Sequence, residues 1–215
     1  MSKKFMVLAL AVVSAAFFAL PAMASAQEIH LEPAQSFTTS GPGGELQASG
    51  EPTITCTSTS GSGSYDAGST TTGSSTLDFT GCHTAVFGFT ASCKSEGAAT
   101  SGTIATGGTF HLITISSGVP GVLLTTNPVK IVCAGISTIT TSGNVIGTIT
   151  SPACGSSSKE VKLSFGVKEG VQNHLSYTGK IYDLTAQTGS STPVTAALVG
   201  NATNTTTNAS KLNCT

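Results

Sequence analysis

Six cysteines carry the most legible chemistry in this chain of 215 residues: Cys56, Cys82, Cys93, Cys133, Cys154 and Cys214. An even cysteine count in an exported chain is the signature of a disulfide framework. Short hairpin-like stretches favour pairing Cys82 with Cys93 and Cys133 with Cys154, which leaves Cys56 for Cys214. A rival set joins Cys56 to Cys82 and Cys93 to Cys214. Zinc is the competing use of thiolates, through Cys82-His83 and Cys93. A structural zinc site needs four ligands at close spacing, and the chain has neither a Cys-x-x-Cys pair nor two neighbouring histidines. No metal ligands are therefore assigned.

Acid–base chemistry has few carriers. The histidines are His30, His83, His111 and His174. A serine triad would have to join His83, His111 or His174 to Asp66, Asp78 or Asp183, with His174 and Asp183 nearest in sequence. The Gly-x-Ser-x-Gly elbow of the hydrolases is missing. A glycosidase would need two facing carboxylates. Glu160 and Glu169 are the candidates, and both end up on solvent at the ends of one strand. With cleavage after Ala26, His30 is the fourth residue, one too far for an amino-terminal copper site. No catalytic residue, cofactor or cofactor-binding residue is assigned.

The elements that must position these groups follow from an export signal. Lys3 and Lys4 precede an apolar run, Phe5–Leu20. Pro21 stops it, and Ala24-Ser25-Ala26 is a small-x-small site with the cut expected between Ala26 and Gln27. The run is shorter than the ~20 apolar residues that span a bilayer. The expectation is therefore a signal peptide over 1–26 and no membrane span in the mature chain. The short, Ala-rich leader has a bacterial look. On that reading, the Asn-x-Ser/Thr triplets at Asn201, Asn204, Asn208 and Asn213 stay unmodified.

All nine basic residues are lysine. Losing Lys3 and Lys4 leaves seven against ten carboxylates, a net charge of −3. Nucleic acid needs a basic footprint, so it is excluded as a partner. The expected partner is extracellular or on a cell surface, its identity unknown.

Ser, Thr and Gly make up close to half of the mature chain, interleaved with Val, Ile, Leu and Phe at strand spacing. Gln27–Gly50 reads as an extended lead-in broken by Pro33, Pro42 and glycines. In Thr53–Thr59, Ile54 and Cys56 face one way and Thr53, Thr55, Thr57 and Thr59 the other. Ser60–Ser75 reads as a low-complexity loop or hairpin tip. Turns are expected at Gly107-Gly108 and at Ser142-Gly143-Asn144, and Glu160–Glu169 is the clearest strand, pairing with 174–184. Ten to twelve short strands place residues 51–215 in one disulfide-stabilised all-β domain, a β-sandwich or a barrel-like antiparallel sheet.

Ile54-Thr55-Cys56, Leu77-Asp78-Phe79-Thr80-Gly81-Cys82 and Pro152-Ala153-Cys154-Gly155 resemble small exported bacterial β-proteins rich in Cys and Thr. They are also similar to the secreted alkane-oxidation-activator type, associated with surface or biofilm roles. The resemblance stops short of the tail after Glu160 and implies no catalytic residues. The expected function is non-enzymatic: binding, adhesion or matrix at the cell surface or outside the cell. A secreted hydrolase with a non-local site, or a carbohydrate- or ice-binding module, stands as the alternative.

Overall fold

The structure is a computed structural model that describes residues 29–86, 88–115, 118–168, 171–174 and 176–214. Met1–Ala26, Gln27 and Glu169 lie outside the described residues. The first strands are β1 (Ile29–Glu32), β2 (Phe37–Gly41), β3 (Gly44–Ala48), β4 (Ile54–Cys56), β5 (Ser58–Tyr65) and β6 (Thr72–Thr80). Then come β7 (His83–Val86), β8 (Phe89–Ser95), β9 (Ile104–Ile115), β10 (Val119–Cys133), β11 (Ser137–Ser151) and β12 (Ser157–Phe165). Two small hairpins, β13 (Val167–Lys168) with β14 (Val171–Gln172) and β15 (Ser176–Tyr177) with β16 (Lys180–Ile181), precede β17 (Leu184–Thr188) and β18 (Val194–Cys214).

The fold is all-β and every pairing is antiparallel. The pairings close two rings of eight strands. Ring one runs β2, β5, β6, β9, β10, β11, β12, β18 and back to β2. Ring two runs β3, β4, β7, β8, β10, β11, β17, β18 and back to β3. Closure removes the exposed edges that make open sheets aggregate.

Three long strands belong to both rings. β10 gives Gly121–Thr126 to ring one and Val129–Cys133 to ring two, with a register shift between. Asn127-Pro128 occupies that shift, where a proline can sit without breaking a ladder bond. β11 changes partner at Gly143, from β17 before it to β12 after it. β18 changes at Gly200, the last residue to pair with β3 and the first to pair with β12.

The chain makes its other crossings close by. Around Thr57, between β4 and β5, the alternation slips: Cys56 is inward, Thr57 and Ser58 are outward, and Thr59 is buried. This overturns the expected outward threonine row at its last member. Between β2 and β3, Gly43 has φ +91°, and a Cβ there would collide with the Cys56 carbonyl oxygen. Both the dihedral and the contact demand glycine.

Glycine has a second use inside ring one. Ser60, Ser62 and Ser64 point out while Gly61 and Gly63 point in. A Cβ on Gly63 would meet the Phe37 ring, and one on Gly73 the Phe110 ring. The rings of Phe37, Tyr65 and Phe110 fill that space edge-to-face, with centroids 5.0–6.3 Å apart. The Ser/Gly tract expected as a loop or hairpin tip is therefore a hairpin whose strands, β5 and β6, run through most of it. Residues 29–48, expected as a lead-in, supply β1, β2 and β3. Strands also run straight through Gly107-Gly108 and Ser142–Asn144, where turns were expected. Residues 174–184, expected to pair with Glu160–Glu169, hold the β15–β16 hairpin instead, and β12 pairs with β11 and β18.

These long strands overturn the favoured disulfide pairing. The bridges are Cys56–Cys82, Cys93–Cys133 and Cys154–Cys214, and no cysteine is free. Cys82 and Cys93 do face each other across the β7–β8 hairpin, where the Cys93 N–H donates to the Cys82 carbonyl at 2.9 Å. A hydrogen-bonded pair holds its Cα atoms about 5.5 Å apart. Each cysteine has a nearer neighbour on its other side, Cys56 or Cys133, with Cα atoms 4.0 Å apart. Cys133 and Cys154 are separated by the whole of β11. Cys56 and Gly200 share Gly44 as a neighbour, whereas Cys214 lies fourteen residues further along β18.

Three disulfides are the bonding pattern of an oxidising compartment. No helix among the described residues is long and apolar enough to cross a membrane.

Two outcomes test this architecture. Peptide mapping of the oxidised protein returns Cys56–Cys82, Cys93–Cys133 and Cys154–Cys214, and the Cys154→Ser/Cys214→Ser variant loses about 4 kcal/mol in urea unfolding, given its 60-residue loop. Gly43→Ala loses about 2 kcal/mol or more, read as a lower urea midpoint with an unchanged slope.

Candidate functional site

The sequence-predicted groups do not converge. His83 Nδ1 lies 3.0 Å from the Gly81 carbonyl oxygen, and His174 Nε2 lies 3.3 Å from Thr148 Oγ1. His111 sits edge-on to Tyr177 at 5.9 Å, and His30 Nδ1 lies 3.1 Å from Thr70 Oγ1. None of these contacts is with Asp66, Asp78 or Asp183. Asp66 accepts a hydrogen bond from the Thr72 hydroxyl at 2.8 Å, and Asp78 points outward from β6. Glu160 is exposed beside Lys162. Among the described residues no group of three or more His, Cys, Asp or Glu side chains could hold a metal ion.

His111 and His174 do share one region, on the outer face of β9–β11. Ile113, Ile115, Leu123 and Ile146 form a small apolar cluster there. They point away from the ring-one interior, so something must cover them. The β15–β16 hairpin does, laying Tyr177 and Tyr182 over the cluster. The Lys180 ammonium sits 6.0 Å from the Tyr182 ring. The arrangement is packing, with the imidazoles at its rim.

A large concave feature lies on the outer face of β18, β2, β5, β6 and β9. It is an open groove of about 990 Å³. Strand register explains its texture. Thr205, Thr38, Ser62, Thr76 and Gly107 stand side by side across five strands. Two residues along, Ser64, Ser74, Thr109 and Thr125 form a parallel rung. Neighbouring strands are about 4.8 Å apart, so hydroxyls recur across the groove at that spacing. Asn127, from the β10 register shift, stands at one end.

The sixteen lining residues are Ser, Thr and Gly with Phe37 and Asn127. None titrates near neutrality, so the groove has no general acid, general base or activated nucleophile. It can donate and accept neutral hydrogen bonds along a line. The signal for it was present in the alternation of Ser58, Ser60, Ser62 and Ser64. Low complexity masked it, because glycine at the inward positions removes the apolar half of the strand pattern.

Inside ring one, burial pushes the Tyr65 phenol well above its ordinary value near 10. Burial acts here by disfavouring the phenolate.

No family model, curated protein or solved structure matches this chain.

The Tyr65 shift has a sign. The native state keeps its proton when the unfolded chain has lost it, so the contribution is whole below about pH 10 and falls as pH rises beyond it. Urea unfolding at about pH 9 and about pH 11 shows that loss in the wild type, and Tyr65→Phe flattens it.

Proposed function

We propose that the chain is an exported, non-enzymatic binding domain working at the cell surface or in the extracellular matrix. Its ligand is a neutral polysaccharide laid along the hydroxyl-lined groove. The observation that carries this reading is the groove itself: long, open and without a titratable group. A ligand suited to it presents hydroxyls and no charge. An anionic polymer would need lysines, and none lines the groove. A hydrolase would need an acid and a base, and none lines it either.

The leader over Met1–Ala26 and the three disulfides support export. The two closed rings support a role in which the domain must persist in the medium. Neutral recognition of this kind gains about 0.5–1.5 kcal/mol per hydrogen bond, so useful affinity needs many bonds in parallel. A repeating polymer against a repeating array of hydroxyls satisfies that.

Retention of the mature protein on insoluble neutral polysaccharides is the test. Retention that survives high salt is expected, because no ion pair is involved. The Ser62→Ala/Ser64→Ala/Ser74→Ala variant should lose at least about ten-fold in affinity while keeping its melting temperature within a few degrees. Inhibition of ice recrystallisation with no polysaccharide retention would assign the hydroxyl array to ice instead. Retention only on charged polymers would refute the groove as the site.

A further inference from the structure

The interior of the two rings is not filled. Ring one encloses a cavity of about 60 Å³ among Phe37, Leu112, Val122 and Val161. Ring two encloses one of about 100 Å³ among Leu46, Ile54, Ile131 and Leu184. A third, of about 30 Å³, lies where the rings meet. The three adjoin. Leu77 and Leu124 line all of them, Phe165 and Ala202 join the first to the middle, and Phe79 and Leu198 join the middle to the last.

Water is a poor occupant. One molecule needs about 10–15 Å³ and two to four polar partners. The space is there, but several of the polar groups on the walls are already bonded. Thr39 donates to Asn204 Oδ1 at 2.7 Å. Thr126 donates to the Gly143 carbonyl at 3.1 Å and Thr141 to that of Val129 at 3.5 Å. The middle cavity differs in one respect. Thr59 lines it, is 6 % exposed, and its hydroxyl has no hydrogen-bond partner. A buried hydroxyl left unpaired is costly, and it is satisfied by an occupant that brings one polar atom.

The outer end has a gate. Tyr65 lines the ring-one cavity and also a polar surface hollow of about 400 Å³, shared with Gln35, Asp66, Ser69 and Thr70. Its ring separates that hollow from the interior, held by edge contacts to Phe37 and Phe110.

We propose that this line of cavities is a binding channel for one slender, uncharged, mainly apolar molecule carrying a single hydrogen-bonding oxygen, which enters past Tyr65 and sets that oxygen against Thr59. The narrow middle section admits an unbranched chain and excludes fused rings. Phe37, Ser75 and Thr206 line both the groove and the ring-one cavity, whereas Ser62 and Ser74 line the groove and none of the three cavities.

A homologous series of n-alkan-1-ols, titrated below self-association by calorimetry, tests the channel. Saturable one-to-one binding is expected, tightening about four-fold per added methylene and then dropping once the chain outgrows the channel. Ala202→Leu and, independently, Leu198→Phe crowd the middle section and should move that cut-off to shorter chains. Thr59→Val should weaken the alcohols several-fold and leave the matching n-alkanes unchanged. The Ser62→Ala/Ser74→Ala variant, which keeps the Ser64 that lines the entry hollow, should bind alcohols as the wild type does, which separates failure of one site from failure of the other. Affinity that climbs with chain length without a cut-off would mean surface partitioning and overturn the proposal. So would the absence of saturable binding, or a cut-off that neither crowding variant moves.

Discussion

Everything in this molecule depends on three strands that serve two rings at once. β10, β11 and β18 each leave one set of partners and take up another in mid-strand. A strand can do that only where its backbone twists or slips, because a continuous ladder would carry the first partner onward. Pro128, Gly143 and Gly200 stand at those three points. Nearby, Gly43 and Gly44 let the β2–β3 corner approach β4 and β18 at backbone distance. Larger residues would hold the rings apart and open the core between them.

From that junction the rest follows in opposite directions. Ring two is narrow at its cysteine row, where Cys56, Cys82, Cys93 and Cys133 stand abreast and are joined in pairs. Covalent closure there compensates for short strands, since β4 and β7 share only two register pairs. Ring one is closed by longer ladders, and aromatic rings set against inward glycines pack one part of its interior. The third bridge, Cys154–Cys214, fastens the end of β18 where its partners are β1 and the start of β12. The hydroxyl groove is a by-product of the same alternation: glycine inward for the rings, serine outward to solvent.

How much of this was legible depended on the kind of pattern. Alternation in Val161–Phe165 named a strand and its inward face directly, and burial agrees at Val161, Leu163 and Phe165. The even cysteine count named a disulfide framework, and every cysteine is bridged. Of the pairings weighed, only Cys56–Cys82 of the rival set is formed. Cys82 and Cys93 are opposite one another, as a hairpin requires, yet each is bonded to the cysteine on its far side. Local turn signals also misled. Gly107-Gly108 and Ser142-Gly143-Asn144 read as turns in isolation, but each lies within a strand, where the glycines serve close packing and a change of partner. The candidate groove escaped notice because its glycines look like loop residues until Phe37 and Phe110 are seen to occupy their space.

Composition and periodicity alone determined that the chain is all-β, rich in disulfides, poor in cations and without a local catalytic motif. Those properties are local or additive, and each residue carries its share of them wherever it sits. Only the tertiary structure decided which cysteines meet, which Ser/Gly tract is a strand, and which threonine hydroxyls, those of Thr59 and Thr188, are buried without a partner. Each of those depends on residues far apart in the chain being brought into register. Register in a closed ring is fixed by all eight strands together, so no window of sequence contains it.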